Sequence, residues 1–203
     1  MSRKVFDKIA SAGGAVLVVV LVVAGGLLTW GHSFVQSNVH DQLAQQQIYF
    51  PPAAAFTAAK PGTEITPSMI PSVSQYAGQQ LLTGQQAKVY ANDFIKVHLS
   101  EMPYGGVYSK VSAAAMKDPK NAQLQTLANT VFKGTTLRGL LLEAYAFSTT
   151  GTIMLVGAIV SFVAAAIMAV LVGLGIWHAA RTPEEQQLLA RKATPAPEPT
   201  PAA

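Results

Sequence analysis

Two apolar stretches without Lys, Arg, Asp or Glu, residues 9–30 and 144–180, bracket a polar, mixed-charge segment. Each exceeds the roughly 20 residues that an α-helix needs to cross a hydrocarbon core of about 30 Å. The pattern predicts a mainly α protein in which two transmembrane helices flank an extracytoplasmic helical domain. Its divisions are a cytoplasmic N-terminus (1–8), a first transmembrane helix (9–31) and the outer domain (32–147). A second transmembrane helix (148–178) and a cytoplasmic Pro/Ala-rich tail (179–203) follow.

Basic residues orient the spans. Arg3, Lys4 and Lys8 precede the first, no Lys or Arg follows it until Lys60, and Arg181, Arg191 and Lys192 follow the second. The positive-inside rule places both termini in the cytoplasm of a plasma-membrane protein with its middle outside. The central eight basic and six acidic residues do not oppose this, because long loops cross largely regardless of charge. A cleavable signal peptide would also begin with basic residues and an apolar run. Residues 24–31 offer no A-x-A site, however, and Trp30 suits an interfacial anchor, so the first helix is expected to be retained.

In the second span Gly157, Ser161, Ala165, Ala169 and Gly173 recur every fourth residue. That spacing keeps them near one face, drifting about 40° per step. Small residues let another helix approach closely, so the ladder is the expected packing face for the first span or a partner subunit. No charged side chain lies deep in either span, which argues against a transporter or channel. His32 and His178, beside Trp30 and Trp177, read as interfacial.

Between the spans, Phe34, Val35, Val39 and Leu43 continue a helical spacing, and Pro51-Pro52 is expected to end that helix. Five prolines between 51 and 72 mark a loop or extended crossing. Thr83 is the expected N-cap of a helix over 84–99, with Ala87, Ala91, Phe94, Ile95 and His98 along one stripe. Residues 107–116 are ambiguous. Asp118-Pro119 is the expected start of a helix running into the second span, kinked near Gly134 or Thr149-Thr150-Gly151.

Composition narrows the function. The chain is 50% hydrophobic and 12% charged, against about 25% charged in a typical soluble domain. A net charge of +4 from scattered basic residues gives no nucleic-acid surface. With no cysteine there is no disulfide, thiolate ligand or cysteine nucleophile. His98 is the most suggestive side chain, yet no His-x-x-x-His or Glu-x-x-His pair accompanies it, and a packed structural histidine is the expectation. Arg138 is expected to form a structural ion pair or an interfacial anchor. No nucleophile elbow or phosphate-binding glycine loop is present. No cofactor, metal or catalytic residue is assigned.

At Tyr76-Ala77-Gly78-Gln79, residues 84–91, Phe94-Ile95-x-x-His98-Leu99 and Phe132-x-Gly134-x-Thr136-Leu137-Arg138-Gly139-x-Leu141-Leu142, the chain resembles a family of small actinobacterial two-span membrane proteins of mostly unknown function. Some members carry the label aromatic ring-opening dioxygenase, which this chain does not support for want of an iron-binding triad. Its architecture is similar to that of the accessory association factor of the actinobacterial cytochrome bcc–aa3 respiratory supercomplex. The resemblance implies a non-catalytic accessory or assembly subunit whose partners are membrane lipids and other membrane subunits. A second expectation is an extracytoplasmic ligand-binding or sensory module with its pocket between the 84–99 and 119–147 helices. A third is a membrane-bound enzyme using His98 with a carboxylate.

Overall fold

A computed structural model describes residues 3–61 and 63–181. Gly62, most of the Pro/Ala-rich tail, and Arg191 and Lys192 lie outside the described residues. The protein is mainly helical, with no strand among the described residues. It divides into two compact units, Met1–Leu28 with Val156–Ala203, and Thr29–Leu155. Two helices dominate: α1 over Arg3–Gln46 and α7 over Ala122–Arg181. Both are long and apolar enough to cross a membrane.

In the first unit these helices pair through a narrow seam. On α1 the least exposed positions include Ser11, Gly14, Val18, Leu21, Gly25 and Leu28; on α7 they include Ala158, Ser161, Ala165, Met168, Val172 and Gly175. Steps alternate between three and four, the 3.5-residue repeat of a coiled-coil seam. The pairing is antiparallel, since Gly25 faces Phe162, Gly14 faces Val172 and Ser11 faces Gly175. A Cβ on Gly25 would lie 2.9 Å from the Phe162 ring, so glycine here lets an aromatic side chain pack against backbone.

In the second unit α1 ends at Gln46, followed by Gln47 in the left-handed region (φ 52°). The stop therefore precedes Pro51-Pro52. The freed chain pairs briefly with residues 79–81: Phe50 N–H donates to Gln79 O (2.9 Å) and Leu81 N–H to Ile48 O (2.8 Å). Short helical pieces follow, α2 over Ala53–Thr57 and α3 over Ile70–Val73. The proline-rich stretch is thus partly helical, because Pro67 and Pro71 each occupy a first-turn position where no N–H is needed.

Thr83 caps α4 (Gly84–Val89) as expected. Its hydroxyl accepts from Gln86 N–H at 3.2 Å while Gln86 Oε1 accepts from Thr83 N–H at 3.0 Å, a reciprocal capping box. A π-turn over Tyr90–Ile95 leads into α5 (Lys96–Glu101). Ala87, Ala91 and Ile95 of the expected stripe are buried. The ambiguous 107–116 stretch forms α6 (Tyr108–Lys117).

Two expectations change. Asp118 ends α6 rather than starting the next helix; α7 begins at Ala122, and Asn121 supplies the cap, its Oδ1 accepting from Leu124 N–H at 3.1 Å. Nor does α7 break at either proposed kink. Gly134 takes the Leu99 side chain against its backbone, where a Cβ would sit 2.9 Å from Leu99 Cδ2. Thr149 and Thr150 return their hydroxyls to the carbonyls of Tyr145 and Ala146 within the helix. The core of this unit is centred on Met69, Val73, Leu81, Val111 and Val131, all fully buried.

Candidate functional site

In the second unit a polar clamp ties α1 to α7. His32 Nδ1–H donates to Gly151 O at 2.8 Å, and Gln36 Nε2 donates to Ser148 O at 3.1 Å. Ser148 Oγ in turn donates to Gln36 Oε1 at 3.1 Å. Gly151 is buried against Val35, and Gly84 at the start of α4 lies directly on Ser148, so three helices meet within one turn of α7. His32 therefore joins helices rather than merely marking an interface. The sequence signal for this clamp is two polar residues, His32 and Gln36, four apart on an otherwise apolar seam.

Next to the clamp, residues 34–46 of α1 and residues 137–147 of α7 line a cavity of about 480 Å³. Phe34, Val35, Val39 and Leu43 contribute apolar wall from α1, and Leu137, Leu140, Leu141 and Phe147 from α7. Val39, Leu43 and Leu141 are buried and form the floor, while Phe34, Leu140 and Phe147 are more than half exposed. Asn38, Gln42 and Gln46, one helical turn apart, give the α1 side an amide stripe; Glu143 is the charged residue of the lining. The expected pocket between the 84–99 and 119–147 helices does not match this one. There Gly84 and Gly134 bring α4 and α5 into direct contact with α7, and the cavity lies between α1 and α7 instead.

The side chains singled out from sequence are dispersed. His98 ends an aromatic chain in which neighbouring rings, Phe50, Tyr90, Phe94 and His98, lie 4.6–5.3 Å apart. Its Nδ1 lies 3.0 Å from Phe94 O and its Nε2 2.7 Å from Glu64 O. Both partners are carbonyls, so the ring ties α5 to the 60–66 loop, and neither nitrogen is directed at a carboxylate. Burial, and then the nearby Glu64 carboxylate, push the Tyr90 hydroxyl above the ordinary tyrosine value.

Arg138 donates from its Nη2 to Asn92 Oδ1 at 2.9 Å, and its Nε is buried without a partner. Among the described residues it joins no ion pair; the neutral Asn92 takes the expected carboxylate's place. Of the small-residue ladder, Ala165 is buried in the α1 seam and Gly157 and Ser161 are half-buried, whereas Ala169 and Gly173 are exposed. The ladder's angular drift carries its far end off the seam. His178 approaches Asp7 at 4.0 Å. No group of three or more His, Asp or Glu side chains is placed to hold a metal among the described residues.

No family model, curated protein or solved structure matches the chain.

Proposed function

We propose that the protein is a non-catalytic accessory or assembly subunit of a larger membrane complex, held in the plasma membrane by two spans. Both termini lie in the cytoplasm and residues 32–147 outside. The observation that carries this reading is the exposure of the apolar helices. Only 6% of the most apolar window of α1 and 11% of that of α7 is buried within the chain. Lipid and neighbouring subunits are the surroundings such faces accept. Exposed Ala169 and Gly173 give α7 a flat strip on which a partner helix can pack closely. The similarity of architecture noted above makes the cytochrome bcc–aa3 respiratory supercomplex the candidate for that complex.

Affinity purification from native membranes in mild detergent, read by mass spectrometry, tests the proposal. A defined set of membrane subunits should co-purify, and Ala169→Leu should release them while leaving the protein folded. Ala165→Leu is the wrong probe, because Ala165 lies in the chain's own seam and its substitution disturbs α1 packing. Recovery of a solitary protein from native membranes would overturn the assignment. The cavity between α1 and α7 supports a second reading, an extracytoplasmic ligand-binding module, and the nature of its ligand can be inferred further.

A further inference from the structure

We infer that the cavity between the outer part of α1 and residues 137–147 of α7 binds one acyl chain of a bilayer phospholipid whose headgroup carries an amine. The inference rests on the membrane placement proposed above and adds a specific lipid site to it. The volume of about 480 Å³ falls within the range of roughly 300–1,000 Å³ usual for small-molecule sites. From Phe34 to Gln46 the cavity follows α1 for twelve residues, about 18 Å at 1.5 Å per residue. One leaflet's acyl depth is about half of the 30 Å hydrocarbon core, so a single chain fits lengthwise.

The lining selects the occupant. Val39, Leu43 and Leu141 present a buried apolar floor with no hydrogen-bonding side chain, which suits an alkyl chain. Phe34, Leu140 and Phe147 are exposed, and Trp30 stacks on Phe34 with ring centroids 5.6 Å apart. Tryptophan is enriched at headgroup level, so Trp30 sets the foot of the cavity beside the leaflet, from which a lipid can enter without crossing water. Asn38, Gln42 and Gln46 offer hydrogen bonds, and Glu143 the lining's one charge. With a carboxylate and no Lys or Arg in the lining, an ammonium is favoured and a headgroup of net negative charge is not.

Native mass spectrometry of the full-length protein, exchanged into equal amounts of phosphatidylethanolamine and phosphatidylglycerol, tests the inference. One phosphatidylethanolamine should remain bound. Leu140→Trp, which fills the slot from an already exposed position, should abolish retention; Leu174→Trp, on an exposed face of α7 away from the cavity, should not. Glu143→Gln should keep the lipid but lower the preference for the amine headgroup by about two- to fivefold, the range of an exposed ion pair. Three outcomes overturn the inference: no retained lipid, retention indifferent to Leu140→Trp, or a second copy of the chain in the cavity, detected as a dimer that Leu140→Trp dissociates. Alkaline extraction of membranes separates this failure from the larger one. A chain released as a soluble protein refutes the membrane placement, whereas a retained chain without lipid refutes only the site.

Discussion

Two side chains carry most of the testable chemistry at the residue scale. Burial, with the Glu64 carboxylate nearby, holds the Tyr90 hydroxyl above its ordinary value, so the folded state keeps the proton that the unfolded chain releases first. Stability from this source is full below the unfolded tyrosine value, near pH 10, and is lost as pH rises through the higher folded one. Thermal melts should therefore fall more steeply above about pH 10 in the native protein than in Tyr90→Phe, which has no phenol to ionise. Parallel curves would refute the coupling. His98 makes a second case. Its nitrogens face Phe94 O and Glu64 O, so His98→Ala removes a bridge between α5 and the 60–66 loop and should cost about 1–3 kcal/mol of stability. Denaturation of purified protein measures that loss. An unchanged midpoint would leave the packed-histidine role without support and return His98 to the chemical candidates.

At the scale of elements, the seams decide what can be changed. Gly84 lies so close to Ser148 that even a methyl group collides with its side chain, and the Ala144 carbonyl is 3.3 Å from the same point. Gly84→Ala should destabilise the second unit by about 1–3 kcal/mol, the usual penalty of overpacking, as measured by chemical denaturation in detergent. Gly78→Ala offers a comparison: it meets no neighbouring atom but has φ of +70°, so its cost reports backbone strain alone. The Thr83 cap and the Ala87, Ala91 and Ile95 stripe were legible in the sequence because both are local patterns of one turn or a few. The α1–α7 seam was not, for a physical reason. A four-residue ladder of small side chains is conspicuous along one helix, but paired helices bury positions in alternating steps of three and four. That pattern mixes Ser11, Gly25 and Leu28 with Met168 and Val172, and shows only when both helices are read together. The cavity escaped for the same reason, since its two walls come from residues about 100 positions apart. Gly134 looked like a hinge, yet its missing side chain is the space that Leu99 fills.

For the whole molecule, the order of apolar and charged segments leaves few ways to meet a membrane. The α1 and α7 windows are almost wholly uncovered by the chain itself, so water is an unfavourable surrounding for both. Residues 31–143 carry 14 charged side chains and cannot share the hydrocarbon, where each costs about 2.5–3.5 kcal/mol at mid-bilayer. On the two-span reading proposed above, residues 3–8 and 181 share one side of the membrane and residues 32–147 lie on the other. On that reading the positive-inside rule, through Arg3, Lys4, Lys8 and Arg181, favours the cytoplasm for the first of those sides. The chain has no cysteine, so a single introduced thiol reports its own location. Met116→Cys, at a position 73% exposed near the end of α6, should react with a membrane-impermeant maleimide in intact cells. Ala180→Cys, exposed at the end of α7, should react only after the membrane is opened. The reverse pattern would invert the orientation and move the lipid cavity to the cytoplasmic leaflet. Reaction of both thiols in intact cells would mean that one apolar helix does not cross and that the protein is not a two-span subunit.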